Sequence, residues 1–282
     1  MIVVDKPSGM TSHDVVDEVR RRLGTRKVGH AGTLDPDATG VLLIGVGRAT
    51  RFLAYAQRAP KRYRAIAVFG VTTTTQDATG DIVMTTPALV REEDVRGAFA
   101  DFVGEIEQVP PMVSAVKVQG ERLYRKARRG EEVARGPRRV SVYSLEVVRF
   151  EGGDHPEATL DVHCSGGTFV RTLVHDVGGR LGCGAHLKSL RRIEAGGFTD
   201  DEAVALELVD AEAVRPLADA VRVLPSLDAK HAAEDVGHGR ALPAPSDELE
   251  EGAPVALVAD GELLGVYRRA GDRLVPDRVV GR

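Results

Sequence analysis

The chain has 282 residues, of which 43% are hydrophobic and 28% are charged, so it can hold one large domain or a large domain and a small one. No apolar run approaches the roughly 18 residues that cross a membrane, and residues 1–6 lack the features of a signal peptide. We therefore expect a cytoplasmic protein without membrane contact. Cys164 and Cys183 are too few for a disulfide framework and lack a metal-binding spacing, which argues against zinc or redox chemistry.

The net charge of −4 is unevenly distributed along the chain. Residues 1–199 hold 29 lysines and arginines against 24 aspartates and glutamates, whereas residues 200–282 hold 9 against 18. The densest cationic segment, at about residues 111–139, includes Arg125, Lys126, Arg128 and Arg129. Such a run could be the solvated face of a helix. Its flanking Pro and Gly residues and the acidic tail elsewhere favour a flap that contacts nucleic-acid phosphates.

The first predicted elements are a strand at residues 2–4 and a helix that begins with Ser12 as its N-cap and ends at Gly24. The helix prediction depends on apolar residues that recur on one face. Later patterns predict strands at 41–46, 63–71, 140–150, 158–164, 255–258 and 263–268, and helices near 49–57, at 91–102, at 168–181 and at 210–223.

These elements alternate without a βαβ rhythm, which favours an α+β fold. We expect a catalytic domain over residues 1–226, built on a mixed, mainly antiparallel sheet flanked by helices. The prolines after residue 224 and the short strands there predict a small β-rich domain over residues 227–282.

A Gly- and Pro-rich loop at residues 29–40, Gly-His-Ala-Gly-Thr-Leu-Asp-Pro-Asp-Ala-Thr-Gly, precedes the predicted strand at 41–46. Asp35 lies before a proline, which steers it to extended geometry and excludes the middle of a helix. From these residues alone, Asp35 and Asp37 could simply turn the chain. The same stretch matches the D-x-D-x-T pattern of aspartyl-phosphate enzymes, but that pattern should follow a buried strand rather than glycines.

Residues 29–40 resemble the catalytic signature of the TruB-type tRNA pseudouridine synthases, GH-x-G-x-LDP-x-A-x-G. Six further blocks resemble that family in the same order, at residues 5–12, 61–65, 73–80, 110–117, 164–172 and 186–192. The resemblance covers roughly the first two hundred residues. It implies the pseudouridine synthase fold, with a PUA-like RNA-binding module as the C-terminal domain.

The implied activity is isomerisation of uridine 55 in the TΨC loop of tRNA to pseudouridine, with a flipped base and Asp35 as the nucleophile. This reaction needs no metal and no cofactor. The implied partner is the TΨC stem-loop of tRNA, and the family expectation is a monomer without an obligate protein partner. Two alternatives are a catalytically idle RNA-binding or tRNA-folding protein and a hydrolase or phosphatase that uses Asp35.

The resemblance also implies roles for individual side chains. Arg171 should pair with Asp35, keep it ionised and lower its pKa. Tyr63 should be a catalytic residue that lies against the target base, with its hydroxyl as a candidate proton acceptor at C2′. Phe169 and Leu190 should form apolar walls of the base pocket. Without the resemblance, Arg171 could be an unpaired surface residue and Tyr63 an ordinary core residue.

The remaining implied residues are assigned to RNA and base binding. His30 should fill the gap that the flipped base leaves, although a histidine in a turn can also bond nearby backbone. Asp77 should lie near the active site, and Lys6 in a block that packs around the catalytic loop. Arg191 and Arg192 are expected to meet the RNA backbone.

Overall fold

The computed structural model describes residues 1–114, 116–118, 120–123, 126, 129–131, 133–245 and 249–281, with the backbone alone for residues 117, 118 and 122. Its helices are α1 (Ser12–Leu23), α2 (Leu53–Arg58), α3 (Glu92–Ala100), α4 (Val170–Arg180) and α5 (Ala233–His238). Its strands are β1 (Ile2–Lys6), β2 (Val28–Ala31), β3 (Thr39–Val46), β4 (Lys61–Phe69), β5 (Val71–Thr73), β6 (Ile82–Thr85), β7 (Gly104–Gln108), β8 (Lys117–Val118), β9 (Glu121–Arg122), β10 (Arg138–Glu151), β11 (Glu157–Cys164), β12 (Ala185–Ala195), β13 (Phe198–Thr199), β14 (Val204–Ala205), β15 (Ser226–Asp228), β16 (Leu242–Pro243), β17 (Pro254–Ala259), β18 (Glu262–Ala270) and β19 (Arg273–Val279).

A ten-stranded sheet organises the larger part of the described chain. Its order is β14-β1-β3-β12-β4-β11-β10-β7, with β2 paired to β3 and β13 paired to β12. The pairs β1·β14 and β3·β12 are parallel and the others are antiparallel. The predicted α+β fold with a mixed, mainly antiparallel sheet is therefore confirmed.

Helix α1 packs its valines against this sheet and begins one residue earlier than predicted. Val15, Val16 and Val19 are buried with residues of β1 and β3. The N-cap is Thr11 rather than Ser12, because the Thr11 hydroxyl accepts the Asp14 amide at 3.1 Å. The Ser12 side chain faces the interior, where it bonds Leu34 in the loop between β2 and β3.

The predicted helix over residues 210–223 is wrong. The structure has only a 3₁₀ helix there, Leu217–Val221, and Pro216 is its N-cap. Proline has no amide to donate and its ring clashes with the preceding turn, so a helix from Asp210 cannot continue through it.

The C-terminal strands form a second sheet in the order β15-β17-β18-β19-β16. Ala256, Leu263 and Val266 of this sheet share a buried cluster with Phe52 of the larger part. The two parts are therefore packed together. The boundary at residues 226/227 and the PUA-like character of the second sheet stay predictions. No helix in the described part of the chain is long and apolar enough to span a bilayer.

Candidate active site

Asp35 lies in the loop between β2 and β3, and glycines set the shape of this loop. The Asp35 carbonyl accepts the Ala38 amide at 3.1 Å, which closes a turn. Gly32 and Gly40 have φ of +83° and +96°, in the left-handed region that favours glycine. A Cβ at Gly40 would lie 2.2 Å from the carbonyl oxygen of Arg192 on the adjacent strand. Only glycine fits there, so the loop is pinned against β12.

Ser12 holds the loop just before the aspartate. Its hydroxyl accepts the Leu34 amide at 2.9 Å and donates to the Leu34 carbonyl at 3.0 Å. The side chain is 1% exposed, so water does not compete for these bonds. These bonds thus connect helix α1 to the loop at Leu34, the residue before Asp35.

Lys6 holds the loop just after the aspartate. Its ammonium donates to the carbonyl oxygens of Pro36, Pro7 and Met10 at 2.7, 2.8 and 2.6 Å. Burial lowers its pKa to about 8, although the nearby aspartates oppose the shift. Lys6 is fully buried, which agrees with its expected packing around this loop, and its RNA-binding role stays a prediction. It supports the catalytic loop.

Arg171, on the first turn of α4, joins two carboxylates. Its Nη2 donates to Asp35 Oδ1 at 3.1 Å and to the Val113 carbonyl at 2.6 Å. Its Nη1 donates to Asp77 Oδ2 at 2.9 Å. Only 4% of the Arg171 side chain is exposed, against 42% for Asp35 and 15% for Asp77. The guanidinium is therefore a buried bridge, and Asp35 is its partner on the open side.

Asp77 is the more firmly held carboxylate. Its Oδ1 accepts the Thr75 hydroxyl at 2.6 Å and the Thr79 amide and hydroxyl at 3.0 and 2.5 Å. Burial alone would raise the Asp77 pKa, but these hydrogen bonds and the charge of Arg171 outweigh it and lower the pKa. Asp77 thus stays ionised and fixes the orientation of Arg171.

The pKa of Asp35 shifts the other way. Burial raises it, the Arg171 charge opposes the rise, Asp77 adds to it and Lys6 opposes it, with a net increase above the ordinary value of 3.8. The predicted lowering is therefore wrong in its net direction. Arg171 does favour the carboxylate, but it is shared with Asp77 and a backbone carbonyl, so desolvation prevails.

The raised pKa of Asp35 predicts how the reaction rate depends on pH on the acid side, or acid limb, of the rate profile. If the ionised carboxylate is the reactive form, the single-turnover rate should fall as the pH drops through the raised pKa of Asp35. We expect Asp77→Asn to move this limb to lower pH, because it removes a negative charge beside Asp35. Rate profiles of both proteins against pH check this. A limb that moves to higher pH in the variant would contradict it.

Five of the predicted site residues line one cavity of about 390 Å³, a volume typical of small-molecule sites. Asp35 and Arg171 contribute its charged side, and Tyr63, Phe169 and Leu190 contribute apolar surface. These five residues come from the loop after β2, from β4, from β12 and from the start of α4. The structure thus brings together residues that lie far apart in sequence.

Gln108 positions one wall of this cavity. Its side-chain amide accepts the Phe169 backbone amide at 3.0 Å and donates to the Phe169 carbonyl at 3.2 Å. Gln108 is 2% exposed and lies at the end of β7. Sequence reasoning missed this residue, because one glutamine at a strand end gives no pattern to detect.

Two buried cations lie at the cavity, and sequence reasoning missed Lys61 as a site residue. Lys61 is 4% exposed and donates to the Gln57 and Ala59 carbonyls, both at 2.8 Å. Arg192 is 1% exposed and donates to the carbonyls of Val41 and Gly32 at 2.7 and 3.0 Å. The burial of Arg192 corrects its expected contact with the RNA backbone.

Arg191 also differs from the expectation. Its guanidinium donates to both carboxylate oxygens of Asp5, at 3.0 and 3.1 Å, and to Asp200 at 3.1 Å. The carboxylates of Asp5 and Asp200 therefore offset the charge of the Arg191 guanidinium. The expected contact between Arg191 and the RNA backbone is therefore not supported by the geometry.

Tyr63 faces Arg192 across the pairing of β4 with β12. Burial raises the pKa of the Tyr63 phenol, while Arg192 opposes the rise through its charge and a hydrogen bond. The hydroxyl is therefore neutral at physiological pH. The two-residue spacing from Leu190, which also lines the cavity, was the signal that could have placed Arg192 on this face of the strand.

His30 lies on β2, half-buried and outside the lining of the cavity. Its ring packs edge-on against His13 of α1, with 5.4 Å between the ring centres. The role expected for His30, filling the gap that a flipped base leaves, stays a prediction.

The basic segment was expected to contact nucleic-acid phosphates, but Arg129 in this segment is paired within the chain. This guanidinium donates to Glu121 at 2.7 and 3.0 Å and to Glu131 at 2.6 Å, so two carboxylates offset its charge. Lys126 is half-buried. Arg125 and Arg128 lie outside the described residues. Arg138, exposed and part of the cavity lining, is better placed to meet a phosphate than Arg129.

No three His, Cys, Asp or Glu side chains of the described residues lie close enough together to hold a metal ion. The site instead presents a carboxylate held by an arginine beside an apolar pocket. Such a carboxylate can act as a nucleophile.

Solved structures share this architecture. One, described as the crystal structure of a Cbf5-Nop10-Gar1 complex, is similar with a TM-score of 0.76 and 29% identity, over 99% of this chain and 84% of the other. Another, an H/ACA RNP bound to a substrate RNA containing 2′-deoxyuridine, is similar with a TM-score of 0.75 and 26% identity, over 99% and 84% of the chains. Fold and site together define the class of the pseudouridine synthases.

The particular family follows from the sequence comparisons. Residues 20–170 match the N-terminal domain of the TruB family pseudouridylate synthases, and residues 171–224 match the tRNA pseudouridylate synthase B C-terminal domain. The chain belongs to the TruB family and is a pseudouridine-forming isomerase, as the resemblance implied.

Curated relatives extend these matches over most of the chain. The tRNA pseudouridine synthase B of Syntrophotalea carbinolica is 44% identical over 281 residues, 94% of this chain and 90% of the relative. The enzyme of that name from Mycobacterium sp. strain KMS is 46% identical over 93% and 92%. That from Symbiobacterium thermophilum is 53% identical over 75% and 71%.

Proposed function

We propose that this protein isomerises uridine 55 in the TΨC loop of tRNA to pseudouridine, with Asp35 as the nucleophile and without a cofactor. The relatives named tRNA pseudouridine synthase B support tRNA as the substrate. The observation that carries the proposal is the 3.1 Å bond from buried Arg171 to Asp35 at a cavity of about 390 Å³.

The reaction explains why one carboxylate suffices. The bond from N1 to C1′ breaks, a bond from C5 to C1′ forms, and the proton on C5 is lost while N1 gains one. The nucleotide is neither oxidised nor reduced. The carboxylate of Asp35 forms a covalent bond with the nucleotide and later releases it, so that the base can turn before it is reattached.

The cavity also explains how the base is reached. A base inside a folded loop must be flipped out of its stack, which costs a few kcal/mol. Burial of the base against Tyr63, Phe169 and Leu190 offsets this cost, since aromatic and apolar side chains stack well on a base. His30 is proposed to fill the gap that the base leaves in the stack. Asp77 anchors Arg171, and the basic segment contacts RNA phosphates.

We also propose that the protein acts in the cytoplasm as a monomer, without a protein partner. One similar structure is that of a Cbf5-Nop10-Gar1 complex, and these partners are a property of that protein. Purified chain that needs an added protein for activity would contradict this part of the proposal.

The deciding experiment is pseudouridine formation by the purified protein on an unmodified tRNA transcript in the presence of a chelator. We expect product at position 55, and no product there when the transcript carries cytidine at that position. Loss of activity in chelator would contradict cofactor independence. Binding of tRNA without any product would favour the RNA-binding alternative.

Salt dependence separates the two arginines of the basic segment. Arg138→Gln should weaken tRNA binding and reduce the slope of log affinity against log salt by about 1, because one phosphate contact is lost. Arg129→Gln should change the slope little, since Glu121 and Glu131 already offset that charge. Titrations at several salt concentrations check this. Equal slopes for Arg138→Gln and the parent would contradict the assignment.

A further inference from the structure

Ser114 carries a buried hydroxyl without a partner. The residue is 4% exposed, and its Oγ has no hydrogen-bond partner among the described residues. It lines the same cavity as Asp35 and Arg171. Burial of a hydroxyl without a hydrogen bond is unfavourable, so such groups are rare unless a ligand completes them. Ser114 is therefore a candidate contact to the substrate.

The neighbouring residue places Ser114 on the reacting side of the cavity. The Val113 carbonyl accepts from Arg171 Nη2 at 2.6 Å, and the same nitrogen donates to Asp35 Oδ1 at 3.1 Å. Arg171 thus ties the segment before Ser114 to the nucleophile. Tyr63, Leu190 and Phe169, which are expected to contact the base, lie on β4, on β12 and at the start of α4.

Three other polar side chains of the cavity have hydrogen-bond partners. Lys61 and Arg192 donate to backbone carbonyls, and the Thr168 hydroxyl donates to the Ser165 carbonyl at 3.0 Å. A hydroxyl both donates and accepts, so the natural complement of an unpaired serine is another hydroxyl. On the nucleotide, the 2′-hydroxyl stands on the carbon next to C1′, where bonds break and form.

We infer that Ser114 binds the 2′-hydroxyl of the flipped nucleotide and is a specificity-determining residue for RNA over DNA. This inference rests on the proposed function, because that function brings C1′ beside Asp35. The 2′-hydroxyl is the group by which a protein distinguishes RNA from DNA at a single site. Ser114 therefore selects the sugar, and Tyr63, Phe169 and Leu190 receive the base.

A binding cycle tests the contact without interference from chemistry. The proteins are Asp35→Asn and the double variant Asp35→Asn/Ser114→Ala. The ligands are two TΨC stem-loops, with uridine or 2′-deoxyuridine at the target position. For Asp35→Asn we expect the deoxy sugar to weaken binding by about 2- to 12-fold, the value of one net hydrogen bond. For the double variant we expect equal binding of both stem-loops.

An equal deoxy penalty in both proteins would overturn the inference, because the two changes would then act independently. A complete absence of the deoxy penalty in Asp35→Asn would overturn it as well. Pseudouridine formation by the parent protein is measured alongside. If the parent forms no product at position 55, the proposed function fails. If it forms product and the two changes are independent, the inference about Ser114 alone fails.

Melting temperatures separate a contact from a structural role. Ser114→Ala should keep the melting temperature of the parent, since its hydroxyl has no partner to lose. Ser12→Ala should lower it, because Ser12 is equally buried but makes two hydrogen bonds to Leu34. Ser226→Ala, an exposed serine of the C-terminal sheet, should leave both binding and melting unchanged. A lowered melting temperature for Ser114→Ala would contradict an unpaired hydroxyl.

Discussion

Asp35→Asn is expected to slow pseudouridine formation by on the order of 10⁴-fold or more, as expected when a covalent nucleophile is removed. The asparagine keeps the size of the side chain and an oxygen that can accept from Arg171, so the cavity should retain its shape. Product formation at position 55 under single-turnover conditions measures the effect. A variant within tenfold of the parent would contradict a nucleophilic role.

The same variant should melt at a higher temperature than the parent at pH 7. The pKa of Asp35 is raised in the folded protein, so the ionised carboxylate costs stability once the pH exceeds its unfolded pKa near 3.8. Asparagine removes that cost. Below pH 3.8 the carboxyl is protonated in both states, and the difference between parent and variant should disappear. A lower melting temperature at pH 7 would contradict the direction of the shift.

Arg171→Met is expected to reduce both activity and stability. The change leaves the mostly buried Asp77 carboxylate and the partly exposed Asp35 carboxylate without their shared cation. Breaking a buried pair costs about 3–5 kcal/mol of the free energy of unfolding. Asp35 also loses its orientation, and a misplacement of about 1 Å can slow a reaction about 100-fold. Urea unfolding and single-turnover rates measure the two effects.

Arg180→Met is the matched control on the same helix. Arg180 pairs with Asp101, but both side chains are more than half exposed. Such surface pairs contribute about 0–1 kcal/mol. Arg180→Met should therefore leave the activity unchanged and the free energy of unfolding nearly so. Equal destabilisation by the two variants would show that the Arg171 bridge is no stronger than a surface pair.

Some of the fold could be predicted because local physics decides it. Helix α1 follows from its valine spacing and Gly24, and β10 and β11 follow from their alternation. The predicted helix over residues 210–223 failed because the pattern was given more weight than Pro216. The N-cap at Thr11 was missed, although Asp14 three residues later completes a capping box with Thr11 and not with Ser12.

The sequence by itself determined the site's chemistry: an aspartate before a proline in a glycine loop, and a block order that identifies the family. Only the tertiary structure decided how the charges balance. Arg171 is shared between two carboxylates, so its charge does not outweigh burial. The pKa of Asp35 therefore rises, whereas the sequence predicted a fall. The cations of Lys6 and Arg192 are buried against backbone carbonyls, and the Ser114 hydroxyl has no hydrogen-bond partner among the described residues. Desolvation and hydrogen-bond partners depend on what surrounds a group in space, and no local pattern of residues contains that information.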